Sequence, residues 1–379
     1  MRHLTAALFA AVMACLLGAL PTSGGDAPSI LTIDHFVEAK STAPSIAGQT
    51  AVLYVRERRQ SGPIPKPAAL GDRVVLFVHG AGTPAEVAFD VPTGDFSWMA
   101  YLAGAGFDVF SMDTSGYGRS VRPPAMDDPC NLAPDQQALF MPALIKKPCE
   151  PSYPGQLTNI GSDWNDINGV VDYIRELRHV DKVSMLAWSL GGPRAGGYAW
   201  QHPDKVDKLV LLAPAYNRSA EAAVPSLPRR GTVFNTQSRS EFIANWDRQV
   251  GCDSQYDAAT RDVVWSEMLA SDPVGATWGP GVRRAPSTTT WGWNQAAAAT
   301  MTMPALLITG VHDKQVNPAS VKNLLEDLGS PQKVMIDLAC SSHNAMWEKN
   351  HLLMFKASLE WLTKGALGDT RQGIVRLGY

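Results

Sequence analysis

A serine stands where the sequence changes from apolar residues to a cluster of glycines, in the stretch LAWSLGGPRAGG at residues 186–197. The residues two positions before and after Ser189 are small, Ala187 and Gly191. This pattern predicts a buried strand that turns at once into a helix, because small residues let the two segments approach closely. Such a corner lifts the hydroxyl clear of the sheet and aims the free N–H groups of the helix at a developing oxyanion. Ser189 is therefore the candidate nucleophile.

A serine hydroxyl is a weak nucleophile unless a neighbouring base removes its proton. His343 follows the last strand of the predicted alternating pattern, and Asp313 follows the strand before it. Since the carboxyl ends of parallel strands meet at one edge of a sheet, we expect both side chains to lie near Ser189. The three residues would then act as nucleophile, base and orienting carboxylate, in the chain order Ser, Asp, His.

The stretch HGAG at residues 79–82 closes another apolar strand, and its small residues leave the backbone accessible. We expect the N–H of Ala81 to converge with that of Leu190 as an oxyanion hole. His79 is predicted to be a structural hydrogen-bonding residue of this turn. The stretch matches neither G-x-x-x-x-G-K-[ST] nor G-x-G-x-x-G, the glycine-rich phosphate-binding motifs. The predicted chemistry needs no cofactor and no metal.

Apolar strands alternate with helical patterns along most of the chain. An opening antiparallel pair is predicted in ILTIDHFVEA and TAVLYVRER, and buried strands in DRVVLFVHGAG, FDVFSMDTSG, KVSMLAWS, KLVLLAPA, MPALLITG and KVMIDLA. The stretch SDWNDINGVVDYIRELR has an apolar stripe at helical spacing, with Ser162 as its predicted N-cap. Continuous apolar strands joined by helices are typical of a parallel sheet covered on both faces. The sequence therefore predicts a doubly wound α/β sheet.

One segment, from about residue 217 to residue 302, interrupts this alternation and contains five tryptophans. We expect it to form a cap inserted into the α/β core. Two interpretations of the tryptophans stay open: their rings line a pocket under a lid, or they form the core of the cap itself. The predicted pocket residues are Trp291 and Trp293, together with Trp188 beside the candidate nucleophile.

The first residues have the pattern of an export signal, with a cationic start at Arg2, an apolar run over residues 4–20 and then small and turn residues. Residues 1–27 are therefore predicted to be a signal peptide, and the mature protein to be periplasmic or extracellular. The alternative is an uncleaved anchor helix, because about 17 apolar residues reach the lower limit for crossing a bilayer.

Four cysteines follow this segment, and an even number in an oxidising compartment permits two disulfides. Cys130 and Cys149 are the nearest pair, which would leave Cys252 and Cys340 to join two distant regions. Two other connectivities and buried free thiols remain possible. Because no C-x-x-C pair is present, a zinc site is not expected.

The motifs HGAG, DTSGYGRS, AWSLGG, GVHDKQV and SSHNAMW, in this order, resemble the α/β-hydrolase superfamily over roughly residues 30–362. The resemblance implies a mostly parallel eight-stranded sheet with a cap inserted after the sixth strand. It implies the same roles for Ser189, Asp313 and His343 that the residues themselves indicate. Ala187 departs from the usual first glycine of the G-x-S-x-G motif, and the serine excludes the aspartate chemistry of dehalogenase and epoxide-hydrolase relatives. The implied division is a core of residues 28–216 and 303–379 with a cap of residues 217–302.

The predicted function is hydrolysis of carboxylic esters through an acyl-enzyme, with a small-molecule or polymeric substrate of apolar or aromatic character. The alternatives are a lactone, amide or carbon–carbon bond hydrolase of the same fold, a lyase and a non-catalytic binding protein. The net charge of −3 is small and no run of Lys or Arg stands out, so nucleic acid is not an expected partner.

Overall fold

The computed structural model describes residues 29–63, 70–153, 155–221, 233–279, 281–284 and 293–378. The predicted signal peptide, residues 1–27, and the predicted pocket residue Trp291 lie outside these ranges.

Eleven strands are present in the described residues, and nine of them form one large sheet. In chain order they are β1 (Ile30–Lys40), β2 (Thr50–Gln60), β3 (Val74–Val78), β4 (Asp108–Met112), β5 (Val183–Trp188), β6 (Val206–Leu212), β7 (Asn235–Gln237), β8 (Val282–Arg284), β9 (Ala305–Gly310), β10 (Lys333–Leu338) and β11 (Gln372–Leu377). The large sheet has the order β1-β2-β4-β3-β5-β6-β9-β10-β11, and β7 pairs with β8 in a separate antiparallel ribbon. In the large sheet β2 is antiparallel to both β1 and β4, and every other pair is parallel.

The helices flank this sheet. They are α1 (Ala85–Phe89), α2 (Trp98–Gly104), α3 (Pro134–Gln137), α4 (Ile160–Arg178), α5 (Gly191–Gln201), α6 (Arg239–Asp247), α7 (Ala258–Ala270), α8 (Pro273–Ala276), α9 (Gln295–Ala299), α10 (Pro318–Asp327) and α11 (His351–Lys364). Short 3-10 turns occupy Pro44–Ile46, Pro124–Asp127, Pro129–Asn131, Ala138–Phe140 and Ala345–Trp347. In the ranges that the structure describes, no helix combines the length and apolarity needed to cross a membrane.

Alternate residues of the central strands point into two separate cores, as expected for a sheet covered on both faces. On β3, Leu76 and Val78 face the core formed with α4, α5 and α10, while Val75 and Phe77 face the core formed with α1, α2 and α11. All five residues of β3 are buried, which explains why the strand is a continuous apolar run. The predicted doubly wound, mostly parallel α/β-hydrolase fold is confirmed.

Two details differ from the sequence predictions. The sheet has nine strands instead of eight, because β11 adds to its edge beside β10. Most residues of β11 are exposed, so the strand lacks the apolar run that marks the central strands. The N-cap of α4 is Asn159, and Ser162 occupies the third helical position, where the two residues form a reciprocal capping box.

Two excursions from the α/β core pack against each other. The first, between β4 and α4, contains α3, and the second, between β6 and β9, contains β7, α6, α7, α8, β8 and α9. Met126 and Phe140 of the first share a small apolar core with Val233 and Phe234 of the second. The cap is therefore inserted after the sixth strand as expected, whereas its limits at residues 217 and 302 stay a prediction.

Two disulfides are present. Cys130 pairs with Cys149 inside the first excursion, and Cys252 of the second pairs with Cys340 in the loop after β10, with Cα atoms 5.3 and 5.7 Å apart. The first is the nearest pairing in the sequence. The second joins the inserted segment to the core.

A buried carboxyl makes the stability of this fold depend on pH. Asp166, on α4, accepts a hydrogen bond from the N–H of Ser115 at 2.8 Å through Oδ2, and its Oδ1 has no partner among the described residues. Burial outweighs this bond and raises the pKa of Asp166 to about 7, with Asp163 adding to the rise. An unfolded aspartate has a pKa of about 3.9. The free energy of unfolding therefore falls as pH rises between these two values.

We expect Asp166→Asn to raise the melting temperature at pH 8 by about 2 °C more than at pH 5, because the asparagine is never ionised. Thermal unfolding followed by circular dichroism measures the difference, with Asp253→Asn as the control on an exposed loop. Equal shifts at the two pH values would show that Asp166 is not the titrating group.

Candidate active site

Ser189 lies at the sharp corner between β5 and α5. Its φ of 58° is in the left-handed region, which residues other than glycine rarely adopt. The corner is held by the Ser189 N–H, which donates to Leu212 O at 2.9 Å, and by the Gly192 N–H, which donates to Ser189 O at 2.8 Å. A Cβ at Gly191 would overlap the carbonyl of Val78. This overlap is the physical reason for the small residue two positions after the serine.

His343 and Asp313 lie side by side in the loops that follow β10 and β9. The distance between His343 Nδ1 and Asp313 Oδ2 is 2.8 Å, and both residues are buried. The other carboxylate oxygen, Oδ1, accepts hydrogen bonds from the N–H groups of Gln315 and Val316, each at 2.8 Å. Because the carboxylate accepts, Nδ1 carries the imidazole proton and Nε2 keeps its lone pair for another group. The pair therefore has the orientation that a general base requires.

A cavity of about 340 Å³ opens at this edge of the sheet. It is lined by Ser189 and His343 together with Ala81, Thr83, Trp188, Leu190, Ala215, Gln237, Phe242, Asn245, Arg284, Gln315, Val316, Asn344 and Trp347. The structure thus brings the predicted nucleophile and base to one cavity, with Asp313 bonded behind the base. A cavity of this size accommodates a small molecule. The described residues contain no cluster of three or more His, Cys, Asp or Glu side chains arranged to hold a metal ion.

The two residues predicted to form the oxyanion hole also line this cavity. Within the described ranges, neither the N–H of Ala81 nor that of Leu190 donates to another protein group, so both are free to bind an oxyanion. The preceding residue, Gly80, lies so close to the corner that an added Cβ would sit 2.8 Å from Cβ of Ser189. The HGAG loop is thus packed directly against the serine.

Beneath this loop, His79 and Arg194 form a buried polar network. His79 Nε2 accepts from the Thr114 N–H at 3.2 Å, so the protonated Nδ1 donates to Gly80 O at 2.7 Å. Burial, with the nearby Arg194 cation, lowers the pKa of His79 and keeps the ring neutral. Arg194 donates to the carbonyls of His79 and Gly80 at 3.0 and 3.2 Å and to Asp163 at 2.8 Å. His79 has the structural position predicted for it, whereas Arg194 was not foreseen.

Trp188 both lines the cavity and holds the base in place. Its Nε1–H donates to the carbonyl of His343 at 2.8 Å, and its ring centroid lies 5.3 Å from that of the imidazole. The ring also makes an edge contact with Trp347, with the ring centroids 5.7 Å apart. A tryptophan directly before the nucleophile therefore connects the corner after β5 to the loop after β10.

Glu348 is a second residue that the sequence did not reveal. Its buried carboxylate accepts from both N–H and Oγ–H of Ser342, at 2.6 and 2.5 Å, and from Trp246 Nε1 and Gln255 Nε2, at 2.9 and 3.1 Å. Ser342 precedes the candidate base, while Trp246 and Gln255 belong to the inserted segment. Glu348 thus joins the inserted segment to the base-bearing loop, in parallel with the Cys252–Cys340 disulfide.

The position of Trp293 corrects one prediction. Trp293 is fully buried and packs on Gly196 and Tyr216, and it does not line the cavity. The other described tryptophans of the inserted segment also pack in apolar clusters: Trp246, Trp265 and Trp278. For these residues the structure favours the interpretation in which the tryptophans form cores. Trp291, as stated above, lies outside the described residues.

The sheet, the corner at Ser189 and the cavity at the carboxyl ends of the strands define an α/β-hydrolase of the serine hydrolase class. The chain belongs to the serine aminopeptidase S33 family, whose model matches residues 71–350.

Solved structures with the same fold include two esterases. One, from Thermogutta terrifontis, is 16% identical, has a TM-score of 0.52 and aligns over 87% of this chain and 99% of its own. The other, from Rhodococcus sp. ECU1013, is 14% identical, has a TM-score of 0.53 and aligns over 87% of this chain and 98% of its own. A bromoperoxidase from Bacillus anthracis is 13% identical, has a TM-score of 0.51 and aligns over 88% of this chain and 100% of its own. At these identities the likeness shows the fold alone. No curated protein matches the sequence significantly.

The network around Glu348 generates a prediction about the base. In Glu348→Gln, an amide NH₂ group would face donors that now bind a carboxylate, so the loop carrying His343 should shift. We expect the free energy of unfolding to fall by about 1–3 kcal/mol, and kcat for a p-nitrophenyl ester to fall about 10-fold or more with little change in KM.

Glu326→Gln, on the exposed surface of α10, is the matched control. Chemical denaturation and steady-state kinetics separate the two effects. A loss of stability with unchanged kcat would show that Glu348 supports the fold without positioning the base.

Proposed function

We propose that the protein is an exported serine hydrolase that cleaves carboxylic esters through an acyl-enzyme. The observation that carries this proposal is the hydrogen bond between His343 and Asp313 at the cavity that Ser189 also lines. Ala81 and Leu190, the proposed oxyanion donors, line the same cavity.

In the proposed reaction, His343 Nε2 removes the proton from Ser189 Oγ as this oxygen attacks the ester carbonyl carbon. Asp313 remains ionised and stabilises the imidazolium. The carbonyl oxygen becomes an oxyanion that accepts from the N–H groups of Ala81 and Leu190. The imidazolium then protonates the alkoxide as the bond between carbon and alkoxide oxygen breaks, leaving the acyl group on Ser189.

A water molecule completes the proposed cycle. His343 removes one proton from the water as its oxygen attacks the acyl carbon, and a second oxyanion forms in the same hole. Its collapse breaks the bond to Ser189 Oγ, which takes the proton back from the imidazolium. The carboxylic acid leaves and the free serine is restored.

The family description refers to an aminopeptidase, and the charge of the cavity bears on this second candidate. An aminopeptidase binds the protonated amino terminus of its substrate, which a carboxylate stabilises. The described residues that line the cavity include Arg284 and no Asp or Glu. This charge favours an ester over an amino-terminal peptide bond.

Lactone, amide and carbon–carbon bond hydrolysis use the same catalytic groups. Rates on a panel of lactones, anilides and diketones distinguish these reactions from ester hydrolysis.

The proposal of an apolar or aromatic substrate rests partly on Trp188, a predicted pocket residue that lines the cavity, and partly on residues that the sequence did not indicate. Phe242 and Trp347 give the cavity apolar walls, while the amides of Gln237, Asn245 and Gln315 give it polar ones. We propose a small ester, or the end of a polymeric one, whose apolar part packs on the two rings and whose polar groups meet the amides.

Export is proposed from the pattern of residues 1–27. The two disulfides support it, because disulfides persist in oxidising compartments such as the periplasm and the extracellular space.

We expect Ser189→Ala to lower ester turnover by more than about 10³-fold, since the nucleophilic oxygen is removed. Purified proteins should be assayed with p-nitrophenyl esters and labelled with a fluorophosphonate. Acid quenching during turnover, followed by intact-mass spectrometry, should show the mass of one acyl group on the wild type and none on the variant.

Ser266→Ala, an exposed position on α7, serves as the control and should keep full turnover and labelling. Unchanged turnover by a folded Ser189→Ala variant would refute the nucleophile. Turnover by the wild type without an acyl-enzyme would point to a lyase.

A further inference from the structure

Two consecutive arginines on β8 point in opposite directions, as successive side chains of a strand do. Arg283 faces the interior, where its Nη2 donates to Asp272 at 2.7 Å and its Nη1 to Asp127 at 2.5 Å. Arg284 faces the active-site cavity and lines it beside Ser189. The ion pairs of Arg283 thus fix β8 so that Arg284 faces the cavity that the candidate nucleophile also lines.

The guanidinium of Arg284 lies against the oxyanion loop. Its Nη2 donates to the carbonyl of Ala81 at 3.2 Å. It packs so tightly on Gly82 that a Cβ there would overlap it. Ala81 is the residue proposed to supply one oxyanion donor, so the cation contacts the backbone of the proposed oxyanion hole.

Arg284 has no carboxylate partner among the described residues, and the flanking segments 222–232 and 285–292 contain no Asp or Glu. Arg284 is half-buried, whereas the fully buried Arg178, Arg194 and Arg283 each form an ion pair with at least one aspartate. Burial lowers the pKa of Arg284, and the Coulomb interactions with Tyr117 and Glu241 offset this only in part. For Arg283 the bonds to Asp272 and Asp127 outweigh burial and raise the pKa.

A desolvated cation without a counter-ion is unfavourable in the folded protein. Guanidinium has five N–H donors in a planar fork that matches a carboxylate, and in Arg284 one bond to a carbonyl is present. The chain therefore leaves a position for an acidic group of a ligand.

We propose that Arg284 binds a carboxylate of the substrate, so that the preferred substrates are esters that carry a carboxylate a few bonds from the scissile carbonyl. This inference rests on the proposed ester hydrolysis. A single negative charge is specified because the remaining described lining residues that are not catalytic are neutral amides, a hydroxyl, apolar groups and rings. Arg284 thus determines specificity, while Ser189 and His343 perform the chemistry.

Matched pairs of esters test the proposal. On the acyl side the pair is mono-p-nitrophenyl glutarate and p-nitrophenyl valerate, and on the alcohol side it is 3-acetoxybenzoate and phenyl acetate. We expect the wild type to prefer the acid in at least one pair. In Arg284→Gln the ratio of kcat/KM for acid over neutral ester should fall about 10- to 100-fold.

Arg284→Lys keeps the charge and should retain part of the preference. Arg239→Gln removes an equivalent charge from an exposed ion pair on the inserted segment and should keep the wild-type ratio. No acid preference in either pair, or a preference that survives in Arg284→Gln, would overturn the proposal.

A binding measurement keeps the test independent of folding defects and of the proposed function. In Ser189→Ala, which still has Arg284, monomethyl glutarate should raise the melting temperature more than its neutral primary amide does. Equal stabilisation by the two compounds would overturn the role of Arg284. If the wild type hydrolyses none of the four esters, the proposed function fails, while this comparison still decides whether the arginine binds a carboxylate.

Discussion

The hydrogen bond between Asp313 and His343 is the contact on which the site depends, and the sheet fixes its geometry. β9 and β10 are neighbours in parallel register, so the loops that follow them begin at the same edge. The His312 N–H donates to Ser341 O at 2.9 Å, and Gly310 approaches the carbonyls of Ser341 and Ser342 so closely that a Cβ would overlap them. Backbone contacts therefore align the two loops in addition to the bond between carboxylate and imidazole, and a side chain at position 310 would force the loops apart.

A second constraint couples the inserted segment to the base. Glu348 binds Trp246 and Gln255 of that segment, and the Cys252–Cys340 disulfide joins it to the strand-end loop three residues before His343. The disulfide and the buried hydrogen bonds of Glu348 thus join the same two segments, the inserted segment and the loop that carries His343. A movement of the inserted segment that opened the cavity would have to preserve these links or disturb the imidazole, so the wall that carries Glu348's partners belongs to the rigid part of the site.

The sequence predicted the site residues that follow the ends of strands. It did not predict residues whose roles depend on buried partners far away in the chain. Ser189, Asp313 and His343 could be placed because each follows an apolar strand, and strand ends share an edge. Trp293 was assigned to the pocket because an aromatic ring in an inserted segment fits either a pocket or a core, and periodicity does not say which. Glu348 and Arg194 could not be found, since their roles come from donors and carbonyls far away in the chain. β11 was missed because an exposed edge strand has no continuous apolar run.

Arg194 and Arg284 contact successive carbonyls of the oxyanion loop, and their different surroundings give them different roles. In a trans peptide the carbonyl of one residue and the N–H of the next point in opposite directions. Because Arg194 and His79 both donate to Gly80 O, the Ala81 N–H is turned away from them and toward the cavity.

The charges of the two arginines are balanced differently. Asp163 neutralises the charge of Arg194 inside the protein, so the effect of Arg194 is to orient the donor. Arg284, which contacts the next carbonyl, has no such partner in the described chain, so its field extends into the cavity where the ester would lie. Arg194 thus orients the proposed oxyanion donor from inside the protein, while Arg284 acts on the charge of the ligand in the cavity.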